Sequence, residues 1–362
     1  MASAIARWAR TAQSYADPRQ VGYVIFYVTN RCNFRCRFCF YGAEIEKGLK
    51  PDEMTVEDVR RLAPTIGPLL QLSLTGGEPF LRKEFAEITG VLLDATDARY
   101  VTIPTNASLT DRTVQFLEEI LPRFPKTNFR ICFSIEGIGE AHDRLRSMPG
   151  SYAKIEESYA AVSPLRQRFS NLVLDSNSVF TAQSETTLID TVRHLSEAFA
   201  FDNISVTYAR GDIPDPALKT QSERRYVELN QFLESLQRRK ENRFLSPVFR
   251  ATRDVSRHAL IRTVFHDEFV TPCVAGRKLV VISETGEVFP CEILGKSMGN
   301  LRDHGFDLRA LMARRENDAL RGWIVESKCK CSFECALAAN MVWNPSMYPR
   351  LAASAVRNLA SG

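Results

Sequence analysis

The sequence predicts an α/β protein built as a partial (β/α)6 barrel followed by a small hairpin-plus-helix unit. Three observations lead there. Six strand-like runs alternate with helical stretches between residues 21 and 211, a rhythm that produces a parallel sheet with helices outside it. Those strands alternate polar with apolar residues and do not read as continuous Val, Ile and Leu, so one face of the sheet lines something polar. Nine cysteines fall into two tight groups flanking about 230 residues that contain a single cysteine.

The strands read as "VGYVIFYVT" (21–29), "QLSLTGG" (71–77), "YVTIPTN" (100–106), "FRICFSIEG" (129–137), "LVLDSNSVF" (172–180) and "ISVTYARG" (204–211). In the fourth, Ile131, Phe133 and Ile135 share one face while Arg130, Cys132, Ser134 and Glu136 share the other, because side chains alternate along a strand. The helical stretches include "TVEDVRRLAPTIGPLL" and "DRTVQFLEEILPRF", with Thr55 and Asp111 at the predicted N-caps. Residues 212–270 read as a helical connector. From Cys273 the character changes, and "RKLVVISETGEVFPCEIL" predicts two short strands around a Thr285-Gly286 turn, followed by a helix over "LRALMARREND". The resulting divisions are an extension over 1–20, the barrel over 21–211, the connector over 212–270, an auxiliary unit over 271–340 and a tail over 341–362.

Composition narrows the class. At 362 residues, 44% hydrophobic and 25% charged, the chain can bury a large core and is ordinary for a globular protein. A net charge of +4 is too small to argue for nucleic acid or a membrane surface. No apolar run approaches the roughly 18 residues of a membrane span. The opening "MASAIARWARTAQSY" lacks the apolar centre of a secretory signal. It reads as a surface helix, with a basic amphipathic helix lying on a membrane as the alternative. A secreted disulfide scaffold would be short and would spread its cysteines evenly. Two tight groups and an odd total point to metal in a reducing cytoplasm.

The stretch "VTNRCNFRCRFCFYG" places Cys32, Cys36 and Cys39 directly after the first strand. A closed metal site takes four protein ligands, and no histidine in the motif supplies the fourth. CxxxCxxC after a first barrel strand resembles the radical S-adenosylmethionine (radical SAM) superfamily over about residues 21–210. Phe38 before the third cysteine, "TGGEP" at 75–79, "TN" at 105–106 and "FSIEG" at 133–137 stand where that family has them.

The resemblance implies a TIM-like partial barrel in which Cys32, Cys36 and Cys39 hold three irons of a [4Fe–4S] cluster. SAM occupies the fourth iron, and a one-electron reductant such as flavodoxin or ferredoxin feeds the centre. Reductive cleavage of SAM would give a 5′-deoxyadenosyl radical that takes hydrogen from substrate. It implies further that Gly76, Gly77 and Glu78, in the motif closed by Pro79, bring backbone to the SAM amino group, and that Phe38 borders the adenine. Asn106 and Ser134 become candidates for the ribose or carboxylate, and Arg146 for the carboxylate. A satisfied strand hydroxyl remains the alternative for Ser134, and a surface ion pair the alternative for Arg146.

The segment from Cys273 resembles the SPASM/twitch extensions that follow many radical SAM cores. Cys273 and Cys291 flank a hairpin, and "CKCSFEC" adds Cys329, Cys331 and Cys335. Five thiols are too few for the two clusters of a full SPASM domain, so the resemblance implies one auxiliary [4Fe–4S] cluster with one of Cys329 and Cys331 surplus. A zinc ribbon is the alternative. Cys132, on the polar face, is a candidate hydrogen-atom donor, with simple packing as the alternative. Glu136 is a candidate general base, with a salt bridge to Arg130 or Arg144 as the alternative.

The leading expectation is a two-electron oxidation of a polar small molecule, of sugar or aminocyclitol type, with the auxiliary cluster accepting an electron. A peptide-modifying enzyme is the runner-up, which the short stretch ahead of the first strand makes less expected. A non-catalytic Fe–S or zinc redox sensor is the reading of a different class. The intact "TGGEP" speaks against it, because a sensor needs no SAM pocket.

Overall fold

Six parallel strands follow one another in chain order: β1 (Tyr23–Thr29), β2 (Gln71–Gly76), β3 (Tyr100–Thr105), β4 (Asn128–Ser134), β5 (Leu172–Phe180) and β6 (Asn203–Tyr208). The structure is a computed structural model that describes residues 15, 17, 20–48, 50–219, 221–240 and 246–360. The expected N-terminal surface helix falls, but for Tyr15, outside them. On its free edge β1 pairs with β7 (Leu279–Ile282), not with β6. The curl of six strands is therefore left open, as the sequence predicts.

β7 runs parallel to β1 with Tyr23 to Phe26 opposite Leu279 to Ile282. β8 (Glu287–Phe289) returns antiparallel to it around Gly286, and β9 (Gly299–Asn300) completes a nine-stranded sheet. The auxiliary hairpin thus extends the barrel's own sheet. Its position relative to β1 is held by backbone hydrogen bonds, which is more rigid than a linker would allow.

Alternation sorts the two faces. Val24, Phe26, Leu72, Leu74, Ile103, Ile131 and Phe133 are buried in the main core beneath the outer helices α2 (Val56–Ile66), α3 (Phe85–Thr96), α4 (Thr110–Arg123), α6 (Ser151–Val162) and α7 (Leu188–Ala198). Each such side chain contributes about 1.5–3 kcal/mol by leaving water. Two short helices, α1 (Gly42–Glu46) and α5 (Glu140–Arg146), follow the loops at the strands' C-terminal ends. Thr55 caps α2 in a capping box with Asp58. Asp111 departs from expectation: α4 begins two residues earlier than an Asp111 cap would place it, with Leu109 at the cap, so Asp111 sits in the first turn, where its charge still meets the helix dipole. β5 also departs from a simple polar/apolar division. Ser176 and Ser178 fall on the helix side with Leu174, and Ser178 is satisfied there by donating to the Ile135 carbonyl.

The connector forms α8 (Glu223–Lys240) and α9 (Ser246–Phe265). The helix expected over residues 308–318 is two pieces, α10 (Leu308–Met312) and α11 (Arg315–Glu326), because Arg314 is extended at ψ 142°. The buried Asn317 side chain closes the break by donating to the Met298 and Leu311 carbonyls. α12 (Glu334–Trp343) packs on the inner face of β1, where Tyr23, Ile25 and Tyr27 meet Phe333, Ala336 and Trp343. The tail is a helix, α13 (Tyr348–Ala360), lying against α9. Among the described residues no helix is long and apolar enough to cross a membrane.

Candidate functional site

β1 delivers the chain to the barrel's C-terminal mouth, the end at which strand-borne chemistry collects in such folds. There Cys32, Cys36 and Cys39 pack with Phe34, Phe38, Leu145 and Ile213. Burial pushes the Cys32 thiol up to about 11 and Cys39 to about 12, and moves Cys36 in the same direction. Thiols this reluctant to ionise unaided become thiolates when iron takes the proton's place. Among the described residues no three His, Cys, Asp or Glu side chains converge as the ligands of a single ion do. A four-iron cluster makes a different demand, seating each thiolate on its own iron, and three soft donors on one buried loop fit it.

The glycine motif lies directly against this loop. A Cβ on Gly76, whose φ is +146°, would stand 2.1 Å from the Thr29 carbonyl oxygen, and one on Gly77 would stand 2.1 Å from that of Arg31. Gly77 N donates to Thr29 O at 3.0 Å and Glu78 N to Arg31 O at 2.8 Å. Pro79 then opens a single 3-10 turn. The Glu78 side chain points inward, accepting from Thr105 Oγ1 at 2.9 Å and Asn106 N at 2.7 Å. Burial pushes its carboxyl up to about 7. Asn106 Nδ2 in turn reaches Asn33 Oδ1 at 2.9 Å. The ends of β2 and β3 and the cysteine loop are thereby one hydrogen-bonded unit.

Arg146 is buried, not a surface ion pair. It donates to Glu136 Oε1, reaches Cys36 Sγ at 3.6 Å and stacks over Phe38 with its guanidinium carbon 5.2 Å from the ring centroid. Glu136 finds neither Arg130 nor Arg144; those pair with Asp175 and Glu140. Its second oxygen accepts from Val179 N, and burial raises its carboxyl while Arg146 opposes that shift. Both Glu136 oxygens are therefore engaged, one holding Arg146 beside the cysteine loop and the other fastening the carboxylate to β5. Ser134 ends β4 half-buried, opposite Asn177. Cys132 stands inside the curl within electrostatic reach of Asp175, Arg130 and Cys335, and burial raises its thiol strongly.

The second group assembles from three separate segments. Burial raises the thiols of Cys273, Cys291, Cys329 and Cys331, and repulsion from neighbouring thiols adds to it at Cys273, Cys291 and Cys331. Cys335 packs against the same apolar cluster as Cys273, Cys291 and Cys331. α12 turns its thiol to a hydrogen bond with the Tyr23 hydroxyl, near Arg210, Glu292 and Glu334.

A cavity of about 530 Å³ lies between the two cysteine groups, lined among others by Phe40, Tyr208, Arg210, Glu292 and Cys331, with Lys219, Asp267 and Lys330 at its rim. Phe40 follows Cys39, and Glu292 follows Cys291. Glu292 accepts from the Tyr27 hydroxyl at 2.8 Å and from Arg210 Nη2 at 2.9 Å. Tyr27 packs on Tyr41, ring centroids 4.6 Å apart, and Tyr41 donates to Glu284 in the auxiliary hairpin. Sequence reading passed over Arg210, Glu292 and the two tyrosines. Their one signal was position: Arg210 just past a barrel strand, Glu292 beside a cysteine.

Residues 26–195 match the family model of the Radical SAM superfamily. The chain is similar to the GTP 3′,8-cyclase of Haemophilus influenzae, 33% identical over 94 residues, which is 25% of this chain. That match spans only 28% of the cyclase's length. Similarity runs further along the AdoMet-dependent heme synthase of Methanosarcina barkeri, 25% identical over 293 residues that cover 77% of this chain and 79% of that protein. Among solved structures, SuiB of Streptococcus suis bound to S-adenosylmethionine superposes with a TM-score of 0.60 at 18% identity, over 86% of this chain and 70% of that one. That is a likeness of fold.

Proposed function

This chain belongs to the radical SAM superfamily, and on that footing we propose that it oxidises a polar small molecule by two electrons in the cavity between its two cysteine groups. One observation carries the reading. A single cavity, of a volume suited to a small ligand, has in its wall a neighbour of Cys39, a neighbour of Cys291 and Cys331 itself.

At the barrel mouth Cys32, Cys36 and Cys39 hold the cluster of the family, and SAM with that cluster supplies a carbon radical able to take a hydrogen atom. The chain's part is to place and to exclude. Gly76 and Gly77 let backbone close on the cofactor, Glu78 ties that motif to β3, and Arg146 holds positive charge beside Cys36. The auxiliary set is Cys273, Cys291, Cys329 and Cys331, which makes Cys335 the surplus thiol. Among the described residues these thiols do not converge as a single zinc ion requires, and a metal count is the part of the test that separates zinc from a cluster.

Oxidation of a secondary alcohol to a ketone then balances. The bound cofactor would accept the carbon-bound hydrogen as an atom. The hydroxyl proton goes to Glu292, whose oxygens keep lone pairs beyond those that Tyr27 and Arg210 use. A cluster held by Cys273, Cys291, Cys329 and Cys331 would supply the acceptor for the remaining electron.

The test is anaerobic reconstitution with iron and sulfide, a metal count, and 5′-deoxyadenosine formation under dithionite with carbon-deuterated polyols or peptides supplied. About eight irons per chain and deuterium passing from a polyol into 5′-deoxyadenosine are expected. About four irons with bound zinc, or deuterium passing only from peptides, would replace this reading with the sensor-like auxiliary site or the peptide-modifying enzyme respectively.

A further inference from the structure

Arg210 leaves the end of β6 and enters the space between the two cysteine groups. Its guanidinium carbon lies 4.6 Å from the Phe40 ring centroid and 4.8 Å from that of Phe333. Phe40 follows Cys39 in the chain, and Phe333 sits between Cys331 and Cys335. In its own plane the same group donates to Glu292 Oε2 at 2.9 Å and lies 3.7 Å from Glu334 Oε2. Glu292 follows Cys291, and Glu334 precedes Cys335. The other Glu334 oxygen accepts from Tyr208 N, which fastens α12 to the end of β6. Its side chain is only 15% exposed.

A planar cation with two faces and a donor edge is the one side-chain type that can stack on two rings and bond two carboxylates together. Resting on the auxiliary cluster reading above, we propose that Arg210 is a positioning residue. It clamps the loop of the N-terminal cysteines to the auxiliary group, and its charge raises the potential at which the auxiliary centre accepts an electron. A positive charge held out of water beside a redox centre favours the more negative, reduced state. The clamp and the charge are separable, because Lys keeps the charge without the two flat faces, and Met keeps neither.

The test uses the full-length reconstituted chain carrying Cys36→Ala, which removes the N-terminal centre and leaves auxiliary iron as the only signal. Arg210→Met and Arg210→Lys are added to it. Spectroscopic redox titration reads the auxiliary midpoint potential, and amide exchange reads residues 36–42 and 327–335. The midpoint falls in Arg210→Met and stays near the parent value in Arg210→Lys, while exchange speeds up in both. Phe333→Leu, which removes one ring and no charge, speeds exchange without moving the potential, and it keeps the clamp testable should the Met variant fail to load iron.

An unshifted midpoint in an iron-loaded Arg210→Met protein, or an equal fall in Arg210→Lys, overturns the electrostatic role. Unchanged exchange in the Lys and Leu variants overturns the clamp. An iron-free Cys36→Ala parent overturns the proposal together with the auxiliary reading, and is told apart from the other failures because the parent itself carries no metal.

Discussion

Gly77→Ala is a single added methyl group whose effect can be worked from distances. The new Cβ would meet the Arg31 carbonyl oxygen at 2.1 Å and its carbon at 2.5 Å, where ordinary contact begins near 3.4 Å. Both obstacles are backbone, so no side chain can rotate away, and one of the two chains must retreat by more than 1 Å. Either the glycine motif withdraws from the cofactor, or the loop between Thr29 and Cys32 shifts the first thiol. A displacement of about 1 Å at a reacting centre costs on the order of 100-fold in rate. Overpacking of this kind costs about 1–3 kcal/mol in stability, which leaves most of the protein folded. The assay is the initial rate of 5′-deoxyadenosine release under dithionite at saturating SAM, with the wild-type iron content verified first. A Gly77→Ala protein that cleaves SAM within twofold of wild type would refute the close-approach reasoning.

Further outcomes follow from the same geometry. Cys36→Ala should lose SAM cleavage and about four irons of about eight, Cys291→Ala should lose about four while still cleaving SAM, and Cys335→Ala should lose none; iron loss in the last would return Cys335 to the ligand set. Arg146→Met leaves the Glu136 carboxylate buried at 1% exposure without its counterion, which costs about 3–5 kcal/mol and should appear as a lower urea midpoint with an unchanged slope. Glu78 keeps its proton to about pH 7 in the folded chain, so stability linked to that proton is complete below the ordinary carboxylate range and is lost as pH rises through 7. Glu78→Gln should flatten that decline by roughly 3 kcal/mol, measured as the difference between wild-type and variant unfolding curves at pH 4 and pH 8; parallel curves would remove Glu78 from the account.

Much of the barrel was legible because its signals are local. Strand alternation in "FRICFSIEG" assigns Ile131 and Phe133 to the core and Cys132 to the interior without any knowledge of neighbours, and both core residues are fully buried. Thr55 and Asp58, three residues apart, specify a helix start by themselves. Asp111 was misplaced at a cap because the helix there extends two residues further toward its N-terminus, and boundaries of that kind depend on how the preceding loop packs. The partners of Glu136 could not be read either. Arg130, Arg144 and Arg146 lie six, eight and ten residues away in sequence, and only the turn of α5 aims the farthest of them inward.

Order along the chain was enough to establish an alternating α/β rhythm, an open curl of six strands and a trio of thiols on one loop, since each depends on residues within a helical turn or a strand's length. Three dimensions alone decided that Cys335 meets Tyr23, that β7 docks on β1, and that Arg210 stacks on both Phe40 and Phe333. Those facts join segments more than a hundred residues apart, and no local propensity encodes which distant partner a side chain will meet once the core has closed.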